Sequence, residues 1–138
     1  RVELICDGIH IHPSVVRATF KMFGAARVVL ISDTIRAAGM SDGQYDLGGQ
    51  DVVVKGPLAT LHDGTIAGSV TDLMACMKSA VSFGIPMEDA VRAAAVNPAK
   101  AIGIFDRVGS LEPGKQANVA VLGPDLELKT VFFHGRKV

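Results

Sequence analysis

The chain has 138 residues, 49% of them hydrophobic, and its 14 basic and 14 acidic residues give a formal net charge of zero. This size suffices for one domain with a real core, and the neutral balance gives no field that attracts nucleic acid or an anionic membrane. The few aromatic residues are not interleaved with basic ones, and no apolar run is long enough for a bilayer span. We therefore expect no nucleic-acid partner, no membrane insertion and a cytoplasmic location.

Two strand-like runs near the start of the chain each end in polar residues. Leu4–His10 ends in Asp-Gly-Ile-His, and Val28–Asp33 ends in an aspartate. A helical segment that begins at Pro13 and ends at Gly24 separates them, which is the pattern of a right-handed βαβ unit. Since ligands meet parallel sheets at the carboxyl ends of the strands, we expect these polar residues at one edge.

The chain starts at Arg1 without an initiator Met and enters a buried strand almost at once. A lone pair of parallel strands leaves backbone groups unpaired at both edges. We therefore expect the chain to be the later part of a longer protein.

The middle of the chain changes from strand to helix patterns. Residues 45–65 mix β-branched residues with glycines, which predicts two or three short antiparallel strands with a turn at His62–Gly64. Helical spacing follows from Val70 to Gly84, with Ser69 and Asp72 suited to a capping box.

The last third predicts two short helices and a small β element. An alanine-rich helix covers Pro86–Val96, and Asn97-Pro98 ends it and begins a short helix through Ile104. Strand patterns then cover Asn118–Leu122 and Val131–Arg136.

Several side chains have both a structural and a functional interpretation. Asp33 suits a helix cap or turn as well as it suits a catalytic acid/base. His10 and His12 have the i, i+2 spacing of strand residues that ligate a metal, but Pro13 indicates that the strand has already ended. We favour a single ligand-contacting His10. Gly68 allows close approach to the backbone, and a helix beginning at Val70 would offer free N–H groups to a ligand oxygen.

The remaining histidines and the two cysteines have simple structural interpretations. His62 and His134 each lie beside or near a glycine and are interpreted as polar turn residues. Cys6 and Cys76 are expected to be buried, reduced thiols rather than a disulfide.

Taken together, five segments resemble the N-acetylglucosamine-6-phosphate deacetylases of the amidohydrolase superfamily. The segments are Asp7–His10, Ile31–Asp33 followed by Ala37–Gly39, Ile66–Ser69, Asn97–Lys100 and Gly109–Lys115. Asn97–Lys100 and Gly109–Lys115 are typical of the whole superfamily, whereas Asp7–His10 and Ile66–Ser69 point to the deacetylases. Asn118 stands where the family usually has Asp.

The resemblance implies an α/β fold, the C-terminal part of a (β/α)8 metal-dependent hydrolase barrel. Residues 1–107 would supply the last two barrel strands and helices, with a β-rich insertion near 45–65. Residues 108–138 would supply strands of a small β-sandwich. The resemblance also suggests a homodimer.

The resemblance implies that the catalytic acid/base is Asp33. The substrate-binding residues would be Asp7, Gly8, Ile9, His10, Ile66, Ala67 and Gly68. A divalent metal, zinc or similar, would be the cofactor, with its Glu and two His ligands upstream and none in this chain.

The implied activity is hydrolysis of the acetamide of N-acetylglucosamine 6-phosphate, a small amino-sugar phosphate, to glucosamine 6-phosphate and acetate in amino-sugar catabolism. We expect the 138-residue chain alone to be inactive. Two alternatives remain open: another amidohydrolase, dihydroorotase-like or deaminase-like, and a non-catalytic module.

Overall fold

The computed structural model describes all residues from Arg1 to Val138. It contains three small sheets and four α-helices, with a short 3₁₀ turn over Ala25–Arg27 and a π-helical turn over Arg92–Val96. Two parallel strands are packed against helices, one antiparallel sheet follows the second strand, and another lies at the end of the chain. The strands are β1 (Val2–Ile5), β2 (Val28–Ile31), β3 (Gly43–Leu47), β4 (Gln50–Lys55), β5 (Leu58–Thr60), β6 (Val119–Leu122), β7 (Leu128–Phe133) and β8 (Arg136–Lys137); the helices are α1 (Pro13–Phe23), α2 (Leu73–Ser82), α3 (Met87–Val91) and α4 (Asn97–Ala101). None of the helices combines the length and apolar character that a bilayer crossing requires.

The predicted βαβ unit is confirmed, but its first strand is shorter than expected. Strands β1 and β2 pair in parallel from Val2 opposite Val28 to Ile5 opposite Ile31, and α1 connects them. The prediction of a strand continuing to His10 is wrong. Gly8 has a left-handed φ of 79°, and the Asp7 carboxylate accepts hydrogen bonds from the N–H groups of Ile9 and His10. The chain therefore turns at Asp7–His10 instead of continuing the strand.

The main core lies between this sheet and the helices. Its buried members are Leu4, Cys6, Val16, Phe20, Val28, Leu30, Cys76, Met77, Ala80, Ile85, Ala90 and Ala93. Both cysteines are fully buried and free, as predicted. A second, smaller cluster lies under the inserted sheet, where Ala37 packs with Val54 and Ala59.

The inserted sheet confirms the predicted antiparallel strands and their turn. β4 pairs with both β3 and β5, and the strands span residues 43–60. In the following turn, Gly64 adopts a φ of 85° and donates its N–H to the carbonyl of Leu61.

Helix α2 begins later than predicted. The expected start at Val70 is wrong, because the Asp72 side chain caps the helix by accepting the N–H of Ala75 at 2.7 Å. Ser69 is not part of a capping box: its hydroxyl accepts the N–H of Thr71, within the extended segment before the helix.

The expectation that Asn97-Pro98 ends a helix is also wrong. A π-helical turn over residues 92–96 joins α3 to α4 without a break. Proline has no N–H and crowds the carbonyl four residues earlier, so a wider turn lets the helical path continue through Pro98. The buried Asn97 amide donates to the carbonyls of Ala25 at 2.7 Å and Val28 at 2.6 Å.

The last sheet begins its central strand earlier than the sequence pattern indicated. β7 starts at Leu128 and pairs with both β6 and β8. His134 and Gly135 form its two-residue hairpin turn, with φ values of 50° and 77°, and the prediction that His134 is a turn residue is confirmed.

Candidate functional site

Three segments meet at the carboxyl ends of β1 and β2. The turn at Asp7–His10 follows β1, and Asp33 follows β2. A short parallel bridge then brings in the segment around Gly68, because Ser69 donates its N–H to the carbonyl of Asp33 and accepts the N–H of Ile35, both at 2.9 Å. The fold therefore unites the three segments that the sequence singled out.

Asp33 has an exposed carboxylate on an unusual backbone. Its φ of 51° lies in the left-handed region, which costs a non-glycine residue free energy and is concentrated at functional sites. The structure does not use Asp33 as a helix cap, since His12 and Asp72 cap the helices on either side. The side chain is open to solvent, so it is available to a ligand.

Gly68 lies directly against Asp33. A Cβ atom at this position would be 2.5 Å from Cγ2 of Ile35, 3.0 Å from the Asp33 carbonyl and 3.7 Å from its Oδ2. The absence of a side chain at residue 68 is thus required by the packing around Asp33 itself.

His10 is held by both of its ring nitrogens. Nδ1 lies 2.7 Å from Oδ2 of Asp7, and Nε2 lies 2.9 Å from the carbonyl oxygen of Ala67. Burial by itself lowers the pKa of His10, but the hydrogen bond to Ala67, the bond to Asp7 and the charges of Asp7 and Asp33 raise it overall. The surroundings of His10 therefore favour its protonated form, and the charge of Asp33 contributes to this effect.

The other histidines lie outside this arrangement. His12 accepts the N–H of Ser14 at the start of α1, and its ring contacts the Ser14 hydroxyl, so His10 and His12 do not form a pair. His62 lies 3.9 Å from Asp51 on the surface, and His134 belongs to the β7–β8 turn.

The segment at residues 66–68 is extended and partly open. Ala67 uses both backbone groups, since its N–H binds the carbonyl of Ala59 and its carbonyl accepts from His10. Ile66 is 45% exposed. Helix α2 begins only at Leu73, so the idea that its N–H groups follow Gly68 directly is wrong. Sequence reasoning missed Thr34, whose hydroxyl fixes this segment by donating to the carbonyl of Thr71 at 2.7 Å.

The residues present do not by themselves form a metal site. No group of three His, Cys, Asp or Glu side chains is clustered in a way that would hold a metal ion. Both nitrogens of His10 are engaged, and the Asp7 carboxylate is fully used within its turn. Asp33 alone offers a free ligand atom here, and one carboxylate does not make a tetrahedral or octahedral site.

Comparison with known proteins identifies the family of the chain. The chain matches the sequence model of the Amidohydrolase family over residues 2–138. It is 40% identical over 127 residues to the N-acetylglucosamine-6-phosphate deacetylase of Bacillus subtilis (strain 168), covering 91% of this chain and 32% of that protein. It is 35% identical over 136 residues to the N-acetylgalactosamine-6-phosphate deacetylase of Escherichia coli O157:H7, covering 98% and 36%.

The chain also has a fold similar to that of a solved structure. The chain superposes with a TM-score of 0.91 and 38% identity on a mutant N-acetyl-D-glucosamine-6-phosphate deacetylase from Mycobacterium smegmatis in complex with N-acetyl-D-glucosamine-6-phosphate. That match covers 99% of this chain and 37% of the other, so the chain spans about a third of the length of these relatives. Because the family match runs from residue 2 to residue 138 and the fold agrees, the chain belongs to the amidohydrolase family.

Proposed function

We propose that this chain is the C-terminal part of an amidohydrolase that removes the acetyl group of N-acetylglucosamine 6-phosphate, giving glucosamine 6-phosphate and acetate. The observation that carries the proposal is the exposed Asp33 carboxylate, which lies against Gly68 and whose charge acts on His10, at the carboxyl ends of two adjacent parallel strands. The names of the relatives supply the substrate class. An amino-sugar catabolic role follows from that substrate.

The proposal includes an architecture. We assign β1 and β2 as the last two strands of a (β/α)8 barrel within residues 1–107, and the sheet of β6–β8 as part of a small β-sandwich within residues 108–138. The surface supports a larger assembly: the chain exposes 8268 Å², whereas a compact monomer of its 14.4 kDa exposes about 6,800 Å². An apolar cleft of about 740 Å³, bounded by α2, α4 and β6, contributes to this additional exposed surface.

In this mechanism Asp33 first accepts a proton and later donates the same proton. Its carboxylate accepts a proton from the water that attacks the acetamide carbonyl, and the resulting acid donates that proton to the amine as the C–N bond breaks. Asp33 has a left-handed backbone and an exposed side chain, and Gly68 fits against it without a side chain.

The neighbouring segments bind substrate. Gly8, Ile9 and His10 lie in the turn after β1, and Ile66, Ala67 and Gly68 lie in the segment next to Asp33, so we assign both segments to substrate binding. The N–H of Gly68 donates to no atom of the chain, so it is free for a sugar oxygen. The cofactor is a divalent metal, zinc or similar, with ligands outside this chain, and we derive no step from it.

The test is the variant Asp33→Asn in the longer protein that contains this chain. Asparagine keeps the shape of the side chain but does not accept and return the proton, so we expect kcat to fall about 100- to 10,000-fold with substrate binding retained. Asp46→Asn is the matched control, because Asp46 is an exposed aspartate that accepts a backbone N–H in the β3–β4 hairpin. Normal turnover by Asp33→Asn would refute the assignment.

A substrate panel separates the proposal from its competitors. N-acetylgalactosamine 6-phosphate belongs in the panel because one relative is named for it. A dihydroorotase-like or deaminase-like amidohydrolase would leave both sugar phosphates intact, and a non-catalytic module would turn over nothing. We also propose that the longer protein is cytoplasmic and forms a homodimer. Sedimentation of the longer protein tests the dimer.

A further inference from the structure

Both oxygens of the Asp7 carboxylate make hydrogen bonds within the turn Asp7–His10. Only 1% of its side chain is exposed. Oδ1 accepts the N–H groups of Ile9 at 2.9 Å and His10 at 3.0 Å, and Oδ2 lies 2.7 Å from Nδ1 of His10. Because both oxygens are engaged and the side chain is buried, Asp7 is not open to a substrate, which points to a role other than direct binding.

The partners of His10 define the protonation of its ring. An ionised carboxylate and a backbone carbonyl only accept hydrogen bonds, so the contacts with Asp7 and Ala67 both require an N–H on the ring. A neutral imidazole carries one N–H, whereas an imidazolium carries two. Both contacts therefore coexist only when His10 is positively charged.

We propose that Asp7 is a positioning residue that holds His10 as an imidazolium donating to Asp7 and Ala67, so that a fixed positive charge stands beside Asp33 and an anionic substrate. This inference rests on the proposed function and deepens it. The charge is useful there because a phosphate monoester and the Asp33 carboxylate are both anionic, and a cation in a partly buried site attracts them.

The surroundings of the pair favour this charge state. Burial raises the pKa of Asp7, but the N–H groups of His10 and Ile9 and the His10 ring lower it overall, so Asp7 is ionised. The charged groups that act on His10 are Asp7 and Asp33. The thiols of Cys6 and Cys76 are neutral, since burial raises the pKa of Cys6 to about 12 and also raises that of Cys76.

The sign of the pH effect follows from the raised pKa of His10. The charge is present below this pKa and is lost as the pH rises through it. In Asp7→Asn the amide oxygen still accepts the two backbone N–H groups, but the amide nitrogen facing Nδ1 only donates. The ring then prefers to be neutral, with its proton on Nε2 toward Ala67.

The experiment compares the wild-type longer protein with Asp7→Asn by NMR of ¹⁵N-labelled histidine and by kinetics against pH. In the wild type we expect His10 to titrate above 6.5, its ordinary value, and to keep its proton on Nδ1 when neutral. In Asp7→Asn we expect a lower titration pH and the Nε2 tautomer. The alkaline limb of kcat/KM should move to lower pH, and each unit of movement costs about tenfold above it.

The outcomes are distinguishable. Asp46→Asn is again the control and should leave both the titration of His10 and the pH profile unchanged. If His10 titrates at the same pH and with the same tautomer in the wild type and Asp7→Asn, the inference is overturned. If Asp7→Asn does not fold, a wild-type His10 that titrates at or below 6.5 overturns it. A wild type that lacks deacetylase activity contradicts the proposed function instead, and the NMR result still decides the role of Asp7.

Discussion

At the residue scale, Gly68 and Asp33 are closely packed against each other. The Asp33 backbone is left-handed, and its carbonyl accepts the N–H of Ser69, so the residue is held between β2 and the segment at 66–69. Gly68 fits against it without a side chain. The sequence suggested that Gly68 admits a substrate to the backbone, and the structure adds that Ile35 and Asp33 leave no room for a Cβ.

The first prediction concerns Gly68→Ala. The new Cβ must displace Ile35 or the Asp33 carbonyl, and a displacement of about 1 Å at a catalytic group costs up to about 100-fold in rate. We expect kcat to fall while the fold is retained. Adding Ile35→Leu removes the Cγ2 that lies 2.5 Å away and should restore part of the loss.

Gly64→Ala is the control for this prediction. Gly64 lies in the neighbouring turn with open space around it, so the substitution costs only backbone strain and should leave kcat nearly unchanged. Equal activity losses in Gly68→Ala and Gly64→Ala would contradict the steric explanation.

At the scale of elements, the segments Asn97–Lys100 and Gly109–Lys115 contribute to packing between helices and strands. Asn97 connects the helical run to the carbonyl of Val28 in β2 and to that of Ala25 just before it. Gly109 packs against Ala99, and the ammonium groups of Lys100 and Lys115 both lie over the Phe105 ring, at 4.6 and 3.4 Å from its centroid. These contacts give both segments a structural role in packing.

The second prediction concerns Asn97→Ala. The substitution removes the side-chain donor to one buried and one partly buried carbonyl, so we expect the free energy of unfolding to fall by about 1–3 kcal/mol in urea titrations. Asn118→Ala is the matched control, because Asn118 is exposed and accepts one N–H from His134. Its cost should stay below about 1 kcal/mol. A smaller loss for Asn97→Ala than for Asn118→Ala would contradict the assigned role.

The third prediction compares Gly109→Ala with Gly114→Ala. Both glycines have left-handed φ values, 95° and 91°, so both substitutions carry the same backbone strain. Only at Gly109 does the new Cβ collide, at 2.7 Å from Cβ of Ala99, whereas Gly114 has open space. We expect Gly109→Ala to lower the free energy of unfolding by about 1–3 kcal/mol more than Gly114→Ala. Equal thermal unfolding of the two variants would show that residue 109 repacks freely.

The whole molecule exposes more surface than its mass predicts, and much of it is apolar. Large side chains such as Ile102 and Leu111 are 72% and 81% exposed, and the cleft bounded by α2, α4 and β6 is lined mostly by hydrophobic residues. Exposed apolar area of this kind marks interaction surfaces. It agrees with the proposal that further chain packs here and completes the site around Asp33.

The fourth prediction separates the chain from the longer protein. The 138-residue chain offers no cluster of three metal ligands, so metal analysis should find no tightly bound stoichiometric metal and assays should find no hydrolysis. In the longer protein we expect chelation to abolish turnover and zinc or a similar divalent ion to restore it. One equivalent of tightly held metal in the short chain would contradict this division.

The local features of the fold could be predicted from the sequence, because they depend on neighbours along the chain. Apolar periodicity predicted the parallel strand pair and α1 between Pro13 and Gly24. The mix of β-branched residues and glycines predicted two or three inserted strands, and the structure has three. The turn glycines placed the hairpins. Helix boundaries were less accurate, since Asp72 rather than Ser69 caps α2 and a π-helical turn carries the helix past Asn97.

The sequence by itself determined which polar segments lie at strand ends and which family they resemble. Only the tertiary structure decided that Gly68 packs against Asp33, that His10 bonds to a carbonyl 57 residues away, and that both oxygens of Asp7 are engaged within its own turn. The physical reason is that strand and helix patterns are set by local periodicity. Hydrogen bonds and close packing between distant segments depend instead on where the folded chain brings them.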